Sequence, residues 1–270
     1  MSLFWVHESI IVQLHAMKIH HSDIKIAFVL AHEDLKDRYR RSYAGMAWIV
    51  ISFVGFFGVK LLVFSEILSN TKQIDYSLWL LSGYYAWMLL SGLVLGGANS
   101  FNSSRNFILS QNLPNWIYIL RNIIYHQLVA IYTSIGFFIL LYFTSFEFHL
   151  HQILSLASLL MLYSILSFFW SMFAGIVTIF FKDFYFFIET IMKILFFATP
   201  IFWIPVEGSF LSDLNQYNIF FHLIQIFRMP IMSGEIPVYS LYFVLMATPL
   251  FLLIGSYTYL RYSNKISLKI

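Results

Sequence analysis

Residues 34–64 read DLKDRYRRSYAGMAWIVISFVGFFGVKLLVF, and this junction decides the fold. Glu33, Asp34, Lys36, Asp37, Arg38, Arg40 and Arg41 are crowded together, and directly after them the chain turns apolar for a bilayer's length. A basic cluster abutting such a segment fixes which end stays in the cytoplasm. Over the whole chain 60% of residues are hydrophobic, 20% aromatic and only 11% charged. A soluble domain carries about 25% charged residues. So little charge leaves no means of clothing a soluble surface, and most of the exterior must face lipid.

A spanning helix needs roughly 17–25 apolar residues. Gly45–Phe64, Leu78–Ala98, Ile123–Phe143, Ile153–Phe180, Phe186–Ile204 and Tyr239–Tyr259 qualify. The expected fold is therefore an all-α membrane protein with about six transmembrane helices. Closed barrels are excluded, because the runs lack period-two alternation and are too long for strands. With six spans both termini share one side. That side holds Lys18, Lys25, Lys36, Arg38, Arg40, Arg41, Arg105, Arg121, Lys182, Arg261, Lys265 and Lys269. The other holds only Lys72 and Arg228, while Lys60 and Lys193 fall inside spans. The asymmetry puts both termini in the cytoplasm. The first residues, MSLFWVHESIIVQLHAMKIHHSD, have Glu8 early and no long apolar core, unlike a cleaved leader.

The expected organisation is a cytoplasmic segment over residues 1–44 and a single six-helix membrane domain over 45–270. Within the first, Ser22 and Asp23 are candidate caps for a helix. Ile24, Ala27, Phe28, Ala31 and Leu35 follow helical spacing with charges opposite, which predicts an amphipathic helix in the interface or an ordinary solvated one. Pro205–Pro237 is too apolar for a simple loop and too short to span. Short re-entrant helices between spans five and six are the expectation there.

Several side chains are candidates for chemistry. Lys60, Glu189 and Lys193 are charges within spans, where such groups face the bundle interior or a water-filled cavity. Glu189 and Lys193 stand i,i+4, in the favourable order for an ion pair. Tyr84, Tyr85, Trp87, Phe184, Tyr185 and Phe197 offer aromatic faces on which a ligand can stack, or else belong to the interfacial belt. Arg38, Arg40 and Arg41 anchor the chain to anionic headgroups, and the same guanidinium forks match phosphate oxygens. The histidines lack H-E-x-x-H spacing, so no metal is expected. Without cysteine there is neither a disulfide scaffold nor a thiolate site.

The run Asp34, Leu35, Lys36, Arg38, Tyr39, Arg40, Arg41 and Ser42, followed by Gly45 and Trp48, resembles permease subunits of ABC-2 transporters that export polysaccharides. So do SRNFILSQNLPNWIYILRNII (104–124), IFFKDFYFFIETIMKILFFATPIFW (179–203) and NIFFHLIQIFRMPIMSGEIP (218–237). Ile219 and Phe53 stand where members of that family carry proline. The resemblance implies the membrane subunit of an exporter, not an enzyme, working as a homodimer with two copies of a separate ATPase. Its substrate would be a lipid-linked glycan such as O-antigen, capsule or teichoic acid, moved across a bacterial inner membrane, with no nucleic-acid partner. It also implies ATPase coupling through Asp34, Lys36, Arg105, Asn112, Leu113 and Pro114. An outer gate would involve Pro200, Pro205, Asn218, His222 and Arg228. The chain has no G-x-x-x-x-G-K-[ST], so ATP and Mg would sit on the partner and no cofactor on this chain. The alternatives are another ABC-2 cargo, including a drug or lipid, or a secondary transporter.

Overall fold

A computed structural model describes residues 21–67, 73–111, 113–143, 150–206 and 208–270. Among the described residues every regular element is a helix. In chain order they are α1 (His21–Arg38), α2 (Ala47–Ile67), α3 (Gln73–Ala98), α4 (Arg105–Ser110), α5 (Trp116–Phe143) and α6 (Leu150–Phe180). They continue with α7 (Asp183–Ala198), α8 (Phe210–Asn215), α9 (Ile219–Met232), α10 (Val238–Tyr262) and α11 (Ile266–Lys269). Among the described residues four stretches are long and apolar enough to cross a membrane: Tyr76–Ala98, Trp116–Phe143, Leu156–Phe180 and Val238–Lys269. Ala47–Lys60 and Ile219–Met232 are shorter apolar stretches.

The central helix is α3. Of its most apolar window 61% is buried, against 17% for the stretch that contains α10. It packs against α6, α9 and α5, while α10 lies on the outer side of α6. Leu80, Leu81, Tyr85 and Leu93 of α3 join Phe57 of α2, Phe137 of α5, Tyr163 of α6 and Phe227 of α9 in one continuous core.

Helix α1 is tied to this body through α5. Asp34 pairs with Arg121, and Arg38 donates to Tyr125, so residues one turn apart on α1 meet residues one turn apart on α5. The rungs rise together on both helices, and α1 therefore runs parallel to the first turns of α5. Ala27, Ala31 and Leu35 are fully buried, and the small alanines permit a close approach. Only part of the expected apolar stripe is used in this way, since Ile24 and Phe28 remain 44% and 48% exposed. Ser22 and Asp23 lie in the first described turn of α1. There the Ser22 hydroxyl turns to the Asp23 carboxylate. The helix ends where Arg41 adopts a φ of 66°, and Gly45 follows with a φ of 53°. These left-handed residues break the helical path within a few positions before α2 begins.

The expected fifth span differs most from what forms. Instead of running to Ile204, α7 stops at Ala198, and Thr199 is extended with φ −83° and ψ 138°. Proline at 200 crowds the preceding residue out of the helical region and supplies no N–H to continue the ladder. The 16 residues of α7 cover about 24 Å at 1.5 Å per residue.

Candidate functional site

Helices α2, α3 and α7 enclose a groove of about 430 Å³. On α3, Tyr84, Trp87, Met88, Ser91 and Leu95 recur at three- and four-residue spacing and so share one face. On α7, Glu189, Met192, Lys193, Phe196 and Phe197 do the same, and α2 adds Phe56 and Lys60. The Lys60 ammonium lies 4.0 Å from the Phe56 ring centre, 4.5 Å from Phe202 and 4.6 Å from Tyr84. Such a cage holds a cation in an otherwise apolar place by ring quadrupoles. Lys193 donates to Glu189 at 2.8 Å. Phe196 links the walls, meeting Trp87 at 5.7 Å and Tyr84 at 6.3 Å between centroids. Two ammonium groups against one carboxylate leave the groove net positive.

Six sequence candidates thus share one space: Lys60, Tyr84, Trp87, Glu189, Lys193 and Phe197. Tyr85 lies elsewhere. Its fully buried ring packs on Phe137 and Phe227, and its hydroxyl bonds Ser134 at 2.7 Å. Tyr84 and Tyr85 point about 100° apart on α3, and here that offset turns Tyr84 to the groove and Tyr85 into the core. Phe184 packs on Phe173 and Phe187, and Tyr185 on Phe186, at the start of α7 outside the groove lining. Phe56 is a lining residue the sequence reading did not single out. Its i,i+4 spacing to Lys60 was the available signal.

The arginines of the opening motif also lie outside the groove. Arg38 donates to the Tyr125 hydroxyl at 2.7 Å, and this bond raises its already high pKa, so the guanidinium stays charged. Arg40 sits 3.6 Å from Asp37 with both side chains mostly exposed, and Arg41 is exposed. Of the candidate coupling residues, Asp34 forms a two-pronged pair with Arg121 at 2.6 Å for each contact. Arg121 also donates to Ser104 at 3.1 Å and lies over the Phe107 ring. Lys36 pairs with Glu33 at 3.0 Å on the exposed side. Arg105 is exposed at the start of α4, and Leu113 and Pro114 bridge α4 to α5. Asn115 then ties that bridge to the Ser263 carbonyl at 3.0 Å. Asn112 lies outside the described residues.

At the opposite end of α7, the helix break leaves carbonyls that side chains collect. Asn215 donates to Ala198, Arg228 to Pro200 at 2.9 Å, Tyr76 to Phe202 at 2.7 Å and Trp79 to Trp203 at 3.2 Å. Asn218 donates to the Thr199 hydroxyl at 2.9 Å. Its own side-chain oxygen accepts from Phe220 N–H and so caps α9. Arg228 is fully buried, with its guanidinium carbon 3.8 Å from the Trp79 ring centre. Its Nε and Nη2 have no hydrogen-bond partner among the described residues. His222 joins α9 to α10, lying 2.9 Å from the Gln216 carbonyl and 3.0 Å from Ser240 Oγ. A carbonyl only accepts, so Nε2 carries the hydrogen and Nδ1 of the neutral ring accepts from Ser240. Pro200, Asn218 and Arg228 therefore form one unit with His222 behind it, whereas Pro205 lies beyond, on the way to α8.

Among the described residues no three His, Asp or Glu side chains are grouped to hold a metal ion. Fold and composition define a helical membrane protein. Comparison with protein-family models gives no match, and no curated protein matches the chain.

Proposed function

We propose that the chain is the permease subunit of an ATP-driven exporter moving a lipid-linked polysaccharide, O-antigen being the leading candidate, across a bacterial inner membrane. The observation that carries this reading is the groove between α2, α3 and α7. There Lys60, Glu189 and Lys193 converge with the rings of Tyr84, Trp87 and Phe197 inside a chain of membrane-length helices. In this reading the charges lie within the bilayer, where such groups mark hydrated pathways. Aromatic planes beside them suit the apolar faces of sugar rings, as they suit other flat ligands. The resemblance of residues 34–48, 104–124, 179–203 and 218–237 to polysaccharide-exporting permeases supports the same reading.

In this reading α2, α3, α5, α6, α7 and α10 are the six spans, and both termini are cytoplasmic. Helix α1 lies at the inner interface. Helices α8 and α9 re-enter from the outside, and side-chain capture of the carbonyls at 198–203 suits irregular backbone within a membrane. Two copies form the pathway, and two copies of a separate ATPase dock on α1 and the α4–α5 bridge. ATP-driven closure moves these segments and opens the groove, while the Pro200–Arg228 unit controls the outer end.

The test is export in cells. Surface glycan and cytoplasmic lipid-linked precursor are measured for wild type, for a deletion, and for Lys193→Gln with Phe197→Ala. Loss of surface glycan with precursor accumulation supports the reading. Unchanged surface glycan in the deletion overturns it.

A further inference from the structure

We propose that a second cavity, enclosed by α1, α3 and α5, binds a phosphate group. It measures about 320 Å³ and shares no lining residue with the groove. At roughly 30 Å³ per water-sized group it has room for a phosphate ester and bridging water. Its wall includes Asp34, Ser103, Tyr118, Arg121, Asn122 and Tyr125.

Hydrogen-bond accounting narrows the chemistry of the ligand. The Asp34 carboxylate is the one anionic acceptor in the wall, and both its oxygens are occupied by Arg121 at 2.6 Å. The hydroxyls of Ser103 and Ser104 donate to the Ser100 carbonyl at 3.1 and 2.9 Å. Tyr125 accepts from Arg38 at 2.7 Å, which leaves its own hydrogen to donate. The Tyr118 hydroxyl and the Asn122 amide nitrogen are buried and have no partner among the described residues. Tyr118 as a whole is 1% exposed. The unpartnered groups of the wall are donors at Tyr118 O–H and Asn122 N–H, with Tyr125 O–H beside them, while Asn99 and His126 add side chains that both donate and accept.

The charge points the same way. Within the wall Arg121 and Asp34 balance, and Arg38, which donates to Tyr125 from outside the lining, adds one positive charge beside it. Unpartnered donors with a cation at the edge of the cavity suit a compact anion with several acceptor oxygens, and phosphate has that form. The headgroup of a phospholipid and soluble phosphate both present it.

The experiment uses the full-length protein in maltoside micelles, with thermal unfolding followed by tryptophan fluorescence. One series adds phosphatidylglycerol, a second adds diacylglycerol, which lacks phosphate, and a third adds sodium phosphate without lipid. A ligand of the native state raises the midpoint as its concentration rises. The expected result is a saturable rise with phosphatidylglycerol or sodium phosphate and none with diacylglycerol. The double variant Tyr118→Phe with Asn122→Leu should weaken that response about tenfold, and Tyr118→Phe alone, which keeps the ring, about threefold. A response to phosphatidylglycerol alone assigns a lipid headgroup, and a response to sodium phosphate assigns the soluble ion as sufficient. No saturable response to either, an equal response to diacylglycerol, or unchanged binding in both variants overturns the site. The result is independent of the export assay, because phosphate binding here requires no transport.

Discussion

Arg228 rests its guanidinium carbon 3.8 Å from the centre of the Trp79 ring, while Nη1 donates to the Pro200 carbonyl at 2.9 Å. One side chain of α9 thereby joins α3 to the end of α7. The contact requires Gly83, because a Cβ there would run into Nη2. Arg228 is fully buried and pinned on both sides, so it has nowhere to retreat.

Gly83→Ala should destabilise the protein by about 1–3 kcal/mol from overpacking, more than the ~1 kcal/mol that alanine gains in a helix. Arg228→Met should also destabilise, by removing the cation–π contact and leaving the Pro200 carbonyl without its donor. Since both changes act on one contact, the double variant should lose less than the sum. Thermal unfolding of the four proteins in detergent measures this, and strict additivity would refute the shared contact.

The Asp34–Arg121 pair should matter where its neighbours on α1 do not. The Arg121 side chain is 10% exposed, and removing its partner strands a nearly buried cation, at a cost of about 3 kcal/mol. Asp34→Ala is expected to lower the unfolding midpoint and to expose α1 to proteolysis. By contrast, Asp37→Ala breaks a pair whose side chains are 76% and 68% exposed, and should change the midpoint negligibly.

Groove residues divide by burial. Phe197 is 72% exposed, so Phe197→Ala should leave stability within about 0.5 kcal/mol. If the groove carries glycan, the same change slows export, and Lys193→Gln does likewise. Trp87 is 5% exposed and packs on Phe196 and Phe220, so Trp87→Ala should cost both folding and export. Surface-glycan assays paired with melting curves separate the two effects.

Topology can be read by chemistry because the chain has no cysteine. A single Asp213→Cys on exposed α8 should react with an impermeant thiol reagent added outside intact cells. Tyr43→Cys, at a fully exposed position between α1 and α2, should react only after the membrane is opened. The reverse pattern would invert the proposed orientation.

Residues 34–64 already contained the main decision: a charged cluster, then an apolar run that only a membrane accommodates. Helix positions followed from the same reasoning, and α10 (Val238–Tyr262) nearly coincides with the expected Tyr239–Tyr259. The i,i+4 spacing of Glu189 and Lys193 likewise anticipated their ion pair. Hydropathy was a poor guide to helix ends. It placed a span start at Ile123, whereas α5 begins at Trp116, because the polar side chains of its first turns are buried against α1 rather than solvated.

The sequence by itself determined that this is a helical membrane protein and where its charges concentrate. Those properties depend on composition and on spacing along one chain. Only the tertiary structure decided that Lys60, Trp87 and Lys193 line one groove while Tyr85 is core, and that Asp34 pairs with Arg121 rather than standing in solvent. It also decided that Arg228 stacks on Trp79. The reason is that helical periodicity specifies which residues share a face, but not which face of which other helix it will meet. That choice depends on volumes such as the space above Gly83, and no local pattern records them.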